Sequence, residues 1–172
     1  MRPLWKRDRH HHIHMTGDQE YSFFCDRMAG SLCKYLRFMG YDCRSANDLP
    51  PGNPREDTDI LKIAGEEKRI ILTQDAELAR RGEGNAIRLV SSDLAAQIRQ
   101  LVQAGLIHPE IRLTRCSRCN ALLQEGTSPE KPNTPIPEDI PLVYCPVCNR
   151  QYWEGTHTKN MRDNLLQMVN KK

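Results

Sequence analysis

Arg69-Ile70-Ile71-Leu72-Thr73-Gln74-Asp75 is a β-branched apolar run no longer than a strand, with an acid directly behind it. A short run that is apolar at every position predicts a strand covered on both faces, because a half-exposed strand would alternate. The neighbouring segments agree. Upstream, Ile60, Leu61, Ile63 and Ala64 recur at helical spacing; downstream, Ala76 to Arg81 reads as a short helix, Ala86 to Val90 as a strand and Asp93 to Ala104 as a longer helix. Further back, Tyr21 to Cys25 is another apolar run. It precedes Met28, Leu32, Leu36 and Met39, a helical stripe closed by Gly40, and Tyr41 to Ser45 predicts a further strand. Leu49-Pro50-Pro51-Gly52-Asn53-Pro54 is a loop. Strands alternating with helices predict an α/β fold, with a mostly parallel sheet covered by helices on both faces.

In such a sheet ligands bind beyond the carboxyl ends of the strands, and Asp26, Asp75 and Asp93 fall at or just after those ends. Asp57 opens the helix of Ile60, Leu61 and Ala64, which follow it at i+3, i+4 and i+7, so its carboxylate is expected to point inward over the end of the sheet. Asp59 lies off that stripe. Taken singly, each acid is accounted for as a helix N-cap. Taken together, converging carboxylates repel one another and call for a hard cation, Mg²⁺ or Mn²⁺. Such a site activates water for phosphodiester hydrolysis.

The last third changes character. Cys116/Cys119 and Cys145/Cys148 form two CxxC pairs, the spacing that lets two tight turns supply all four ligands of a closed, structural Zn²⁺ site. The segment from Arg112 to Gly155 is too poor in apolar runs to fold alone, and Zn²⁺ would supply the missing stability, on the order of 10 kcal/mol. Between the pairs, Glu125 to Pro141 is rich in Pro, Thr and Glu and predicts an exposed loop. Thr158 to Asn170, with Met161, Leu165 and Met168 on one face, predicts a closing helix. Cys25, Cys33 and Cys43 suit neither a ligand pair nor a redox CxxC and read as small buried hydrophobes.

No apolar run approaches a membrane span, and the basic stretch from Met1 to Glu20, with His10, His11, His12 and His14, lacks the apolar core of a signal peptide. It reads as a disordered leader. Cysteines spaced for metal fit a reducing cytoplasm better than a disulfide framework. The net charge of +3 is a slender argument for nucleic acid, since residues 21–111 carry 12 basic against 13 acidic side chains. Local clustering is more telling. Arg27, Lys34 and Arg37 recur along the first helix beside Asp26, Arg80 and Arg81 follow Asp75, and Arg115, Arg118 and Arg150 flank the ribbon cysteines. These are candidate phosphate contacts, with Tyr152 and Trp153 as candidate stacking platforms for bases.

The stretches Phe24-Cys25-Asp26-Arg27-Met28-Ala29-Gly30-Ser31-Leu32, Tyr35-Leu36-Arg37-Phe38-Met39-Gly40-Tyr41-Asp42 and Arg69 to Asp75 resemble the Mut7-C ribonuclease domain, a PIN-like family. Arg115-Cys116-Ser117-Arg118-Cys119-Asn120, Cys145-Pro146-Val147-Cys148 and Tyr152-Trp153-Glu154-Gly155-Thr156-His157 look like that family's zinc ribbon. The resemblance implies a PIN-like three-layer α/β sandwich that cuts RNA with Mg²⁺ or Mn²⁺ bound by Asp26, Asp57, Asp75 and Asp93. It also divides the chain into a leader (1–20), a nuclease domain (21–111), a ribbon (112–157) and a C-terminal helix (158–172). Cys33, Tyr35 and Gln74 depart from the family pattern; Gln74 removes a positive charge beside Asp75 and so bears on phosphate affinity. Two further readings remain open at this stage. One is a non-catalytic protein that binds RNA, a ribosome or RNA-processing proteins through the ribbon. The other is a phosphoacceptor domain, disfavoured because Arg27, not a second acid, follows Asp26.

Overall fold

The computed structural model describes residues 21–128 and 140–170. The predicted leader and the middle of the predicted Glu125–Pro141 loop lie outside the described residues. Four strands, β1 (Phe23–Cys25), β2 (Cys43–Ser45), β3 (Ile70–Thr73) and β4 (Ala86–Arg88), form a sheet in the order β2-β1-β3-β4. All three pairings are parallel. The connecting helices are α1 (Gly30–Phe38), α2 (Glu56–Glu66), α3 (Ala76–Arg81) and α4 (Leu94–Gln103). The alternating order read from the apolar runs is the order observed. β4 is shorter than expected: its ladder ends at Arg88, although the Leu89 amide still donates to Thr73 O at 2.7 Å.

The period of two along the strands sorts the core into two halves. Phe23, Cys25, Cys43, Ile70 and Leu72 pack with Leu32 and Leu36 of α1, Ile98 and Leu101 of α4, and Met161 and Leu165 of α5 (Thr156–Asn170). Phe24 and Ile71 face the other way, onto Ile60 and Ala64 of α2 and Leu78 of α3. The result is three layers, helix on sheet on helix, with every β1 and β3 residue buried, as a continuous apolar run requires. Gly40 ends α1 at φ +91°, a conformation that favours glycine. A Cβ there would also lie 2.8 Å from Thr114 Oγ1, so the returning chain passes where a side chain would stand.

After α4 the chain leaves for a three-stranded antiparallel sheet, β5 (Gln124–Glu125), β6 (Leu142–Tyr144) and β7 (Gln151–Trp153), then returns as α5 against α4. Two knuckles carry the cysteines, and they repeat one turn. Asn120 N donates to Cys116 O and Asn149 N to Cys145 O, both at 2.9 Å; Asn120 and Asn149 are left-handed at φ 65° and 58°. Asparagine tolerates that conformation better than most side chains.

The ribbon is held against β2, an edge strand, by polar side chains. Asp42 takes a two-pronged grip from Arg69, at 2.7 and 3.1 Å, and also accepts from Asn120 Nδ2 at 2.7 Å. Asn120 Oδ1 accepts the Cys43 amide at 3.1 Å. Arg37, a candidate phosphate contact in the sequence, is instead buried and fully engaged within the protein. At 3% exposure its guanidinium is consumed internally, donating to Cys43 O at 2.7 Å, Ser117 O at 3.2 Å, Arg118 O at 2.7 Å and Asp48 Oδ2 at 2.9 Å.

Burial alone would raise the Asp42 carboxyl, but Arg69, Asn120 and Arg115 outweigh it and hold it below its ordinary value. A group lowered on folding contributes stability that is present above its unfolded value of about 3.9 and is lost as pH falls through the folded value. Asp42→Asn is therefore expected to melt lower than the parent at neutral pH and to close that gap as the pH drops below about 4, measured as melting temperature against pH.

Candidate functional site

Asp26 and Asp75 stand at the carboxyl ends of the paired strands β1 and β3. Cys25 is in register with Leu72, so Asp26 comes opposite Thr73, and its amide extends the ladder to Leu72 O at 3.1 Å. Asp26 is buried at 7% exposure. Its Oδ1 accepts the amides of Met28 and Ala29 at 2.9 and 3.2 Å, and its Oδ2 accepts the Thr73 hydroxyl. The same Thr73 oxygen accepts the Asp75 amide at 2.9 Å. The two acids are thus joined through one hydroxyl. Asp75 caps α3, with Oδ1 accepting Leu78 N at 2.8 Å, and Asp93 caps α4, with Oδ2 accepting Ala96 N at 2.9 Å. Each keeps a second carboxylate oxygen outside its cap.

Asp57 is half exposed and faces Arg81 of α3, with Oδ2 4.0 Å from a guanidinium nitrogen; Asp59 accepts from Asn53. Among the described residues, the groups of three or more potential ligands within 4.8 Å of one another are both made of cysteine. The four carboxylates are therefore not drawn into mutual ligand contact: Asp26 and Asp75 are joined through Thr73, while Asp57 stands against Arg81 and Asp93 caps α4. Their oxygen chemistry fits a hard cation in kind.

The basic residues divide. Arg27 is clamped on Glu56, with Nε 2.9 Å from both carboxylate oxygens and Nη2 2.5 Å from Oε2, and it also donates to Pro50 O. Arg115 donates to Asn120 O inside its own knuckle. Lys34, Arg118 and Arg150 are exposed, and Trp153 is half-buried. A cleft of about 660 Å³ lies at the junction of sheet and ribbon, lined by Arg44, Asp48, Glu67, Arg69 and Arg118 among others.

The CxxC cysteines do converge. Cys116 and Cys148 Sγ are 3.5 Å apart and Cys119 and Cys145 Sγ 3.3 Å, with all four within 4.8 Å. Zn–S bonds of about 2.3 Å put tetrahedral sulfurs about 3.8 Å apart, so four thiolates fit Zn²⁺ with modest expansion. Tyr152, expected as a stacking platform, serves the first knuckle instead. Its hydroxyl lies 3.2 Å from Cys116 Sγ and accepts the Ser117 amide at 3.1 Å. Tyr152→Phe is expected to weaken metal retention by roughly tenfold in chelator competition, the scale of losing a group that orients a ligand.

Residues 21–165 match the family described as the Mut7-C RNAse domain. The chain belongs to that family. No curated protein and no solved structure matches it. Membership in a Mut7-C RNAse domain family points to ribonuclease-type function with RNA as substrate, and the matched span takes in sheet, ribbon and most of α5. Among the described residues no helix of this Mut7-C chain is long and apolar enough to cross a membrane.

Three features of the Mut7-C chain escape the linear reading. Thr73 looked like a strand residue, yet its hydroxyl joins two acids. Asn120 and Asn149 follow their CxxC pairs at the same place, which was the available signal for the left-handed turn. Cys25, Cys33 and Cys43 are dispersed in sequence, but a β-α-β unit brings them together.

Proposed function

We propose that this chain is a PIN-like, Mg²⁺- or Mn²⁺-dependent ribonuclease, with Asp26, Asp57, Asp75 and Asp93 as its acidic set and a structural Zn²⁺ held by Cys116, Cys119, Cys145 and Cys148. The observation that carries this reading is the chain Asp26–Thr73–Asp75 at adjacent strand ends in a chain of the Mut7-C RNAse domain family. Asp75 and Asp93, each with an oxygen outside its helix cap, are the natural ligands of a hard ion. When bound, that ion would lower the pKa of a water and offset charge developing on the phosphate. The protein's own part is to fix the carboxylates: backbone amides hold Asp26, and the Thr73 hydroxyl orients it relative to Asp75. Lys34 and Arg118 are exposed cations that would guide a polyanion, with Trp153 as a stacking surface. We read the reducing cytoplasm as the compartment in which a cysteine-liganded Zn²⁺ persists.

A second reading, RNA or ribosome recognition without cleavage, draws on the exposed Arg118, Arg150 and Val147 at the knuckles. Incubating the zinc-loaded protein with defined single-stranded RNAs, with and without Mn²⁺, separates the two. Metal-dependent cleavage supports the first. Tight binding with intact RNA would leave only the second.

A further inference from the structure

Cys25 ends β1, Cys33 lies on the inward face of α1, and Cys43 opens β2. The parallel register pairs Phe23 with Cys43 and Cys25 with Ser45, so Cys25 and Cys43 sit diagonally on one face of the sheet, the face that α1 covers. Their Sγ atoms are 3.6 Å apart, and Cys33 Sγ lies within 4.8 Å of both. Three sulfurs meet in a wall of the core where each residue is at most 2% exposed.

Isolated buried thiols behave as small hydrophobes, and each could rest there alone. Three in mutual contact are a donor set. They include no His nitrogen and no carboxylate, so the set is soft and selects thiophilic ions. An iron–sulfur cluster takes four cysteines, and Zn²⁺ takes four ligands; this pocket offers three sulfurs and no opening for water. A monovalent ion content with three sulfurs fits better. Metal–sulfur bonds of about 2.3 Å put the sulfurs of a planar three-coordinate site about 4 Å apart, within the spacing observed.

Charge supports the same choice. One cuprous ion held by two thiolates and one thiol leaves a net charge of −1, with two protons released to solvent. The buried Arg37 guanidinium, bonded to Cys43 O at 2.7 Å, places a positive charge in the same wall, shared with the half-exposed Asp48 carboxylate at 2.9 Å. A buried charge needs such a partner.

We propose that Cys25, Cys33 and Cys43 form a second thiolate site, separate from the ribbon, that binds one cuprous ion. The test uses the full, zinc-loaded chain under anaerobic conditions, titrated with Cu(I) buffered by a competing chelator. Zinc and copper are then counted per chain, and X-ray absorption reports the copper ligands. The expected result is one retained copper with sulfur-only ligation and no loss of zinc. Cys33→Ala, which keeps a good helix former in α1, and Cys25→Ala with Cys43→Ala should each lose that copper while keeping zinc and a cooperative melt. The proposal is overturned if no copper is retained, if copper enters only as zinc leaves, or if folded Cys33→Ala holds copper as tightly as the parent. It is equally overturned if the purified protein holds two zinc ions per chain, or if the triad yields a Cys25–Cys43 disulfide in place of a copper complex.

Discussion

Asp75→Asn is expected to lower metal-dependent RNA cleavage by about 10²- to 10³-fold, the scale of removing one group that stabilises developing charge, while leaving the melting temperature nearly unchanged. The two effects separate because Asp75 has two jobs on two oxygens. One oxygen caps α3 through Leu78 N, and asparagine caps as well as aspartate. The other is the proposed ion ligand, and the amide loses its charge there. Asp75→Ala is the contrasting variant: it should lose activity and also about 1 kcal/mol of cap stability. Asp26→Asn is a less clean probe. Its amide nitrogen would face either the Thr73 hydroxyl or the two backbone amides that Asp26 now satisfies, at a cost of about 1–3 kcal/mol. RNA turnover by Asp75→Asn at the parent's rate would remove the nuclease assignment. Unchanged RNA affinity in that variant, lost on Cys116→Ser, would favour the binding reading.

Stripping the ribbon metal, or Cys145→Ser, is expected to destabilise the α/β body as well as the ribbon. Two of the four acceptors of the buried Arg37 guanidinium are the Ser117 and Arg118 carbonyls, which lie inside the first CxxC turn. If that turn unfolds, a buried cation loses bonds worth about 1.5–3 kcal/mol each, so the body should lose about 3 kcal/mol or more. For a chain of this size that is a fall of roughly 6–12 °C in melting temperature. Calorimetry of holo and metal-free protein measures it, and hydrogen exchange at β2 locates it. Arg37→Met supplies the control, since in its absence metal removal should no longer reach β2. A body that melts at the same temperature with and without metal would refute this coupling.

The alternating strand and helix order was legible because each buried strand is a short apolar run with an acid or a turn behind it. The convergence of the four knuckle cysteines was legible because the spacing within a CxxC is local. What could not be read is what depends on distant partners. Arg37 shares a face with Cys33, one helical turn earlier, but two of its four acceptors lie 80 and 81 residues on, so the sequence offered a basic stripe and no reason to bury it. The ion pair of Arg27 was illegible for the same reason: Glu56 comes from another helix. The three core thiols are 8 and 10 positions apart, spacings that carry meaning only once β1, α1 and β2 fold as a unit. Asp57 was expected to point inward over the end of the sheet from the stripe of Ile60 and Ala64, but at the first turn of α2 its side chain is half exposed and faces Arg81.

The outward-facing backbone of β2 has a wider meaning. Cys43 turns both its amide and its carbonyl away from β1, and Asn120 and Arg37 occupy them. An open margin of that kind is where sheets of different molecules zip together. The knuckle therefore acts as a sealing strip, and chains deprived of their metal should self-associate through β2, slowly and in proportion to concentration.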